Sequence, residues 1–197
     1  MADKRELLGV SYFHVVCTLP HELNELCRQN TALLYNLLFR ASAATMLEAA
    51  ANPEHLGAEI GFLGILHTWG QNPLLHPHVH CLVPAGGIAL DHSRWVHPRY
   101  AFFPPVKVLR SVFRGKFLDG LRCAYRLKKL RFGGSASALE QPKPFANLLQ
   151  QLQAKEWIPY AKPAFGDAQQ VLRYPGRYTH RVAISNHRLQ AEADAFI

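Results

Sequence analysis

Long apolar runs are missing from this 197-residue chain, and cysteine is scarce. No stretch approaches the roughly 18 apolar residues that a membrane-spanning helix needs, and the first residues lack the apolar core of a signal peptide. The four cysteines are widely spaced and form no Cys-x-x-Cys pair, which disfavours a thiolate zinc site and a disulfide framework. The sequence therefore predicts a cytoplasmic protein with reduced thiols and no membrane partner.

Acidic residues are outnumbered by basic ones, which gives a formal net charge of +8 and a pI near 9.5. Such an excess favours a polyanionic partner such as a nucleic acid. The segment from Val106 to Leu130 spaces its apolar residues as an amphipathic helix or helix pair with Lys and Arg between them. Arg110 and Arg114 on this helix are candidates for contacts with a phosphate backbone. A solvated surface helix is an equally good interpretation of the same pattern.

The remaining pattern predicts an α+β fold, with a central antiparallel sheet that carries a His-x-His strand and has helices packed on it. The apolar content of 49% suffices for one core, so residues 1–197 are expected to form a single domain. The predicted elements are a strand at Val10–Leu19, a helical region from His21 to Ala51, a hairpin from Ile60 to Val83, an extended excursion or short hairpin at Ile88–Tyr100, a flexible loop at Gly133–Ser137, a helix at Pro144–Lys155, an edge strand at Trp157–Ala161, a helix at Ala168–Tyr178 capped by Asp167, and a strand at Val182–Ser185.

Two histidines alternate with apolar residues in the second strand of the hairpin. Because side chains in a strand alternate between the two faces, His78 and His80 point the same way and can share a metal ion. A regular hairpin with a connection from Asn72 to Pro77 would place Gln71 opposite His78, Trp69 opposite His80 and His67 opposite Leu82. One face would then carry three imidazoles and one amide. A chance pairing is the alternative in a chain with 11 histidines.

Two tyrosines, Tyr174 and Tyr178, lie one turn apart on the last predicted helix. Taken alone, such a pair most often serves packing, but its neighbours here are basic. A phenol with a pKa near 10 attacks phosphorus usefully only where cations stabilise the phenolate and the developing charge. Those cations could come from a metal ion on the histidines and from the arginines beside the tyrosines, Arg173, Arg177 and Arg181.

Four collinear blocks of the sequence resemble the transposases of the insertion-sequence ninety-one type, which belong to the HUH (His-hydrophobic-His) endonucleases. The blocks are Tyr12–Leu23, Leu66–Asn72, His76–Pro84 and Val171–Asn186. The resemblance implies nicking and rejoining of single-stranded DNA at transposon ends, through a 5′-phosphotyrosine, in rolling-circle transposition.

The resemblance also implies the role of each site residue. Tyr174 and Tyr178 would be the nucleophiles, the second accepting or resolving a strand, with Arg173, Arg177, Arg181, Arg110 and Arg114 on the DNA. His78 and His80 would bind a divalent ion, Mg²⁺ or Mn²⁺, as the only cofactor. An acidic or amide residue on the neighbouring strand is the third ligand in related replication initiators, which favours Gln71 and leaves His67 as the alternative.

The sequence departs from the family pattern in three ways. Pro175 stands between the tyrosines, where it removes a helical hydrogen bond. The family's N-terminal zinc-binding region and its C-terminal continuation are both expected to be absent. These departures support a second interpretation, a decayed transposase that binds single-stranded DNA without turnover. A third is a hydrolase that activates water at the histidines and does not use the tyrosines.

Overall fold

The computed structural model describes residues 8–69, 75–98, 105–157 and 160–165. In this part of the chain, seven strands and four α-helices alternate without a regular β-α-β repeat. They are β1 (Tyr12–Thr18), α1 (Asn24–Gln29), α2 (Thr31–Ala51), β2 (Ala58–Glu59), β3 (Leu63–Trp69), β4 (Leu75–Pro84), β5 (Gly87–Ala89), β6 (Trp95–Val96), α3 (Val106–Arg126), α4 (Pro142–Ala154) and β7 (Tyr160–Phe165), with short 3₁₀ helices at His21–Leu23 and Gly134–Glu140.

The main sheet has four antiparallel strands in the order β3-β4-β1-β7. The fold class predicted from the sequence, α+β with an antiparallel sheet and helices packed on it, is confirmed. β7 lies at the edge, where Pro163 removes no interior ladder hydrogen bond. The predicted edge strand is therefore confirmed in type but not in its start, because Trp157 is 1% exposed in the core instead.

Helices cover one face of this sheet, as predicted for the helical region after β1. Successive residues of β1 and β4 point to opposite sides, and the odd-numbered ones enter a single apolar core with α2 and α3. The close approach of α2 is visible at Gly64, where an added Cβ would lie 3.4 Å from the ring of Phe39. On the side of α3, Phe113 and Phe117 pack against Trp157 with ring centroids 5.5 and 5.6 Å away.

The predicted helical region from His21 to Ala51 is divided at Asn30. This residue is buried, and its backbone leaves the helical range at φ −137° and ψ 43°. Its side chain donates to the carbonyls of Leu26 and Arg131 and accepts from the backbone N–H of Arg131. Since an unsatisfied buried amide would cost about 1–3 kcal/mol, these bonds favour the break at this position.

Two further predictions can be compared with the structure. Of the two alternatives predicted for Ile88–Tyr100, an extended excursion or a short hairpin, the described residues form the hairpin: β5 pairs with β6 and joins β2 in a second, three-stranded sheet. The flexible loop predicted at Gly133–Ser137 was wrong, because Gly134–Glu140 forms a 3₁₀ helix and buries Ala136. The elements predicted at 168–178 and 182–185 lie outside the described residues.

Among the described helices, none combines the length and the apolar content that a bilayer crossing requires.

Candidate metal centre

Three histidines meet on the sheet face opposite α2. His67 in β3 is directly opposite His78 in β4, and His80 follows two residues further along β4 on the same face. Each of the three offers a ring nitrogen, and these nitrogens lie within 4.8 Å of one another. The ring centroids are 4.5 to 5.4 Å apart. The sequence prediction that His78 and His80 share one face is therefore confirmed.

The register of the hairpin differs from the predicted one. His78 is opposite His67 instead of Gln71, and His80 is opposite Ile65 instead of Trp69. The prediction assumed a regular ladder, whereas the pairing shifts between His67 and Trp69. The displacement is an even number of residues, so His67 stays on the histidine face. It thus supplies the third nitrogen of the cluster, while Gln71 lies outside the described residues and its role as a ligand stays a prediction.

Hydrogen bonds assign a role to one nitrogen of each β4 histidine. His78 Nδ1 lies 2.6 Å from the carbonyl oxygen of His76, so Nδ1 carries the proton and donates it. His80 Nδ1 lies 2.7 Å from Nε2 of His14 in β1. In both rings Nδ1 is engaged by the protein, and Nε2 is the nitrogen that can bind an ion. Metal-binding histidines are commonly held in this way.

Burial keeps these imidazoles neutral. Desolvation is the main cause that lowers the pKa of His78 to about 4 and that of His80 to about 3, with the neighbouring histidines adding to the shift. The pKa of His67 is also lowered by desolvation. Near pH 7 all three rings therefore carry a lone pair, which is the form that binds a metal.

The donor set fits a divalent ion. Three neutral imidazoles within one ion's reach suit Mn²⁺ and the later transition ions better than Mg²⁺, which prefers oxygen ligands. Three protein ligands also leave positions for oxygen atoms of water or a phosphate, as in catalytic metal sites. His67, His78 and His80 would hold such an ion.

An apolar cavity of about 530 Å³ continues the histidine face toward the end of β4. Leu82, two residues beyond His80, lies in its wall with Tyr12 of β1 and Leu63 of β3. Trp95 adds aromatic surface. Two residues of strand correspond to about 6.6 Å, so the cavity adjoins the histidines.

The arginines predicted on the basic helix lie on the helical side of the sheet. The helix itself is confirmed as α3. Arg110 forms an ion pair with Glu156 at 2.6 Å, and Arg114 donates to the carbonyl of Lys155 at 3.2 Å. Both guanidinium groups thus have protein partners, and their contact with DNA stays a prediction.

The other predicted site residues lie outside the part of the chain that the structure describes. They are Gln71, Arg173, Tyr174, Arg177, Tyr178 and Arg181.

His14 is the site residue that the sequence analysis missed. Its ring is 1% exposed and is hydrogen-bonded to His80. A histidine inside the apolar run from Tyr12 to Cys17 was the available signal, since imidazole is seldom placed in a strand buried on both faces. The sequence could not reveal which strand lies beside β1.

Comparisons with known proteins identify the family of this chain. The family Y2_Tnp, described as "Putative transposase", matches residues 61–196. The chain is 52% identical over 190 residues to "Putative transposase y4qJ" of Sinorhizobium fredii, covering 96% of this chain and 48% of that protein. It is 28% identical over 185 residues to "Transposase for insertion sequence element IS801" of Pseudomonas savastanoi pv. phaseolicola, covering 89% of this chain and 40% of that protein.

The chain thus spans about half the length, or less, of these two relatives. No solved structure matches it. The family match covers well over half of the chain and includes all three histidines of the cluster. The chain belongs to the Y2_Tnp transposase family.

Proposed function

We propose that this chain is the catalytic part of a transposase that nicks and rejoins single-stranded DNA through a covalent tyrosine intermediate. The observation that carries the proposal is the set of three neutral histidines on one sheet face of a chain in a transposase family. Such a set, with an apolar cavity beside it, is suited to a metal-assisted phosphate reaction. The relative named for IS801 supports transposition of an insertion sequence as the context.

The nucleophile proposed is the phenol oxygen of Tyr174 or Tyr178. Its bond to phosphorus forms as the bond from phosphorus to the 3′ oxygen breaks, the phenol gives up its proton, and the leaving 3′ oxygen gains one. The products are a 5′-phosphotyrosine and a free 3′-hydroxyl. Because one phosphodiester replaces another, the same step in reverse rejoins DNA ends without an external energy source.

The chain's own residues are proposed to hold the metal ion and to neutralise the DNA phosphates. When bound, the divalent ion supplies Lewis-acid polarisation of the phosphate. His67, His78 and His80 would hold it, and because all three lie on strands of one sheet, their ring nitrogens are fixed relative to one another. Arg173, Arg177 and Arg181 are proposed to neutralise the flanking phosphates, since guanidinium groups bind phosphate in bidentate fashion.

A single strand is the proposed DNA substrate because of the cavity beside the histidines. Its aromatic residues, Tyr12 and Trp95, suit an unpaired base, which stacks on such side chains for about 1–3 kcal/mol. A paired base in a duplex could not enter it. The proposal therefore predicts stronger binding to single strands than to duplex DNA of the same length.

The test is formation of a covalent protein–DNA adduct with a pool of random-sequence single-stranded oligonucleotides in Mn²⁺. DNA labelled at the 3′ end should remain on the protein after denaturation, whereas a 5′-end label should leave with the 3′-hydroxyl fragment. The double variant Tyr174→Phe/Tyr178→Phe should form no adduct. The control is Tyr125→Phe, whose hydroxyl bonds to Glu140 in the helical layer and should be dispensable.

Two other results would replace the proposal. A chain that binds single strands but never forms an adduct would be a decayed transposase. Cleavage that needs Mn²⁺ and survives loss of both tyrosines would indicate a hydrolase that activates water at the histidines.

A further inference from the structure

A fourth histidine lies behind the metal centre and is not within the cluster of ligand nitrogens. His14 is on the same sheet face as His80, diagonally across the β1–β4 ladder, where Val16 is the residue directly opposite His80. Its ring is 1% exposed, and the cluster of the described residues contains His67, His78 and His80 without it. Its Nε2 lies 2.7 Å from Nδ1 of His80, which joins it to the centre.

The geometry of this bond is that of two rings joined edge to edge. The planes of His14 and His80 are inclined by only 3°, and their centroids are 5.0 Å apart. That separation is close to the longest that an N···N contact of 2.7 Å allows, so the rings extend away from each other in a common plane. The N–H and the lone pair of an imidazole both lie in the ring plane. The contact is therefore a well-aligned hydrogen bond and not a face-to-face stack.

This bond couples the proton positions of the two rings. A neutral imidazole carries one proton, and the nitrogen that binds a metal must be the one without it. For His80 to offer Nε2, its Nδ1 must carry the proton and donate it to Nε2 of His14. In the opposite arrangement His14 donates, and the proton of His80 moves to the nitrogen that should bind the ion.

We propose that His14 is a positioning residue, which holds His80 in the plane and tautomer that present Nε2 to the ion. His78 receives the same support from a backbone carbonyl, that of His76. For His80, the hydrogen-bond partner is a side chain of the neighbouring strand, His14 of β1. The inference rests on the proposed function in assuming that the three histidines bind a divalent ion.

The expected effect is on metal affinity. Loss of such a partner typically weakens binding by about 10- to 100-fold. His14→Leu removes the nitrogen that accepts the hydrogen bond from His80 and puts an apolar side chain of similar bulk in its place. His14→Gln keeps a carbonyl oxygen that can accept from Nδ1 of His80. The predicted order of Mn²⁺ affinity is wild type, then His14→Gln, then His14→Leu.

The experiment is a calorimetric titration of the full chain with Mn²⁺. His21→Gln is the matched control, because the side chain of His21 is 77% exposed and the cluster of the described residues does not include it. We expect His14→Leu to lose about 10- to 100-fold in affinity and His21→Gln to match wild type. If His14→Leu fails to fold, His14→Gln and the spectroscopic measurement below decide.

The spectroscopic measurement uses ¹⁵N-labelled wild-type protein loaded with diamagnetic Zn²⁺. A coupling between Nδ1 of His80 and Nε2 of His14, with the proton on His80, would support the positioning role. A proton on His14 Nε2 would overturn it, as would wild-type affinity in His14→Leu. Loss of one coordinated imidazole in His14→Gln would overturn it too, because His14 would then be a ligand.

Failure of this inference can be distinguished from failure of the proposed function. A chain that binds Mn²⁺ with the predicted order of affinities but forms no DNA adduct keeps the role of His14 and loses the nickase. If the wild-type chain forms the adduct but His14→Leu keeps the wild-type metal affinity, the nickase is supported and the role of His14 is contradicted. A wild-type chain that binds no divalent ion overturns both.

Discussion

The two faces of the main sheet come from the same strands and have opposite chemistry. On the helix-covered face, Val15, Cys17, Val79 and Cys81 are fully buried in an apolar core. On the other face, alternate residues of the same strands place His14, His78 and His80 side by side, with exposures of 1%, 9% and 8%. The degree of burial is similar, so burial alone does not explain the difference.

The comparison separates the apolar face, which stabilises the fold, from the histidine face, which does not. Valine and cysteine on the covered face gain free energy by leaving water, about 25 cal/mol per Å² of apolar surface. A buried imidazole instead loses hydration, which is why the pKa values of His78 and His80 fall to about 4 and about 3. Stability alone would favour apolar residues there. The histidines are therefore best explained by a ligand.

The largest expected effect is on metal binding. His78→Gln or His80→Gln removes an imidazole ligand and should weaken Mn²⁺ binding by more than about 100-fold. That loss exceeds the one expected when only the hydrogen-bond partner of a ligand is removed. Thermal unfolding of the metal-free variants should be unchanged or slightly improved, because a desolvated imidazole is removed. Calorimetric titration and thermal melts of the same samples provide both measurements. Retained affinity would exclude these side chains as ligands.

The next effect is a loss of stability in acid. Because the folded-state pKa values of His78 and His80 lie below the ordinary 6.5, the unfolded chain binds more protons below that pH. The stabilisation is complete above about pH 6.5 and is lost as the pH falls toward 4 and then 3. Between pH 6 and pH 5 the pair should contribute roughly 2 kcal/mol, since each histidine contributes at most about 1.4 kcal/mol per pH unit.

This dependence is measured by urea unfolding of the metal-free chain in a chelator at several pH values. The double variant His78→Gln/His80→Gln serves as control, and its free energy of unfolding should change less steeply with pH. Equal slopes in the two proteins would mean that the histidines titrate in the folded state as they do in water.

A substitution on the covered face should have the converse effect. Val79 lies between the two histidines in sequence and is fully buried on the opposite side of the sheet. Val79→Ala should lower the free energy of unfolding by about 1.5–2 kcal/mol, through lost burial and a residual cavity. Its Mn²⁺ affinity should stay at the wild-type value. A large change in affinity would show that the two faces are not energetically separate.

The smallest effect is expected in the helical layer. Arg110→Gln breaks an ion pair with Glu156, whose side chain is 79% exposed, and should change stability by less than about 1 kcal/mol. If Arg110 also contacts a phosphate, the slope of log affinity for single-stranded DNA against log salt should fall by about one. An unchanged slope would remove Arg110 from the DNA surface. Glu156→Gln controls for loss of the ion pair alone.

Elements with a strong period were predictable from the sequence. The β-branched run after Val10 predicted β1, and the amphipathic pattern over Val106–Leu130 predicted α3, which ends four residues earlier, at Arg126. His78 and His80 were predicted on one face because strand alternation is a local property. In each case the evidence lies within a single element.

Features that depend on pairing between elements were not predictable. The expected third ligand was Gln71, with His67 as the alternative; the shift between His67 and Trp69, which places His67 opposite His78, leaves no sequence signal, and Gln71 lies outside the described residues. His14 was missed because its role depends on the neighbouring strand. The break at Asn30 depends on bonds to Arg131, a residue about a hundred positions away in sequence.

The central claim is that three histidines of one sheet face hold a divalent ion. Pulsed electron paramagnetic resonance of the Mn²⁺-loaded chain counts coordinated imidazoles through their nitrogen couplings. The predicted result is three imidazoles in the wild-type chain and two in His67→Gln. Mn²⁺ bound without imidazole coupling, or a count that His67→Gln leaves unchanged, would contradict the account.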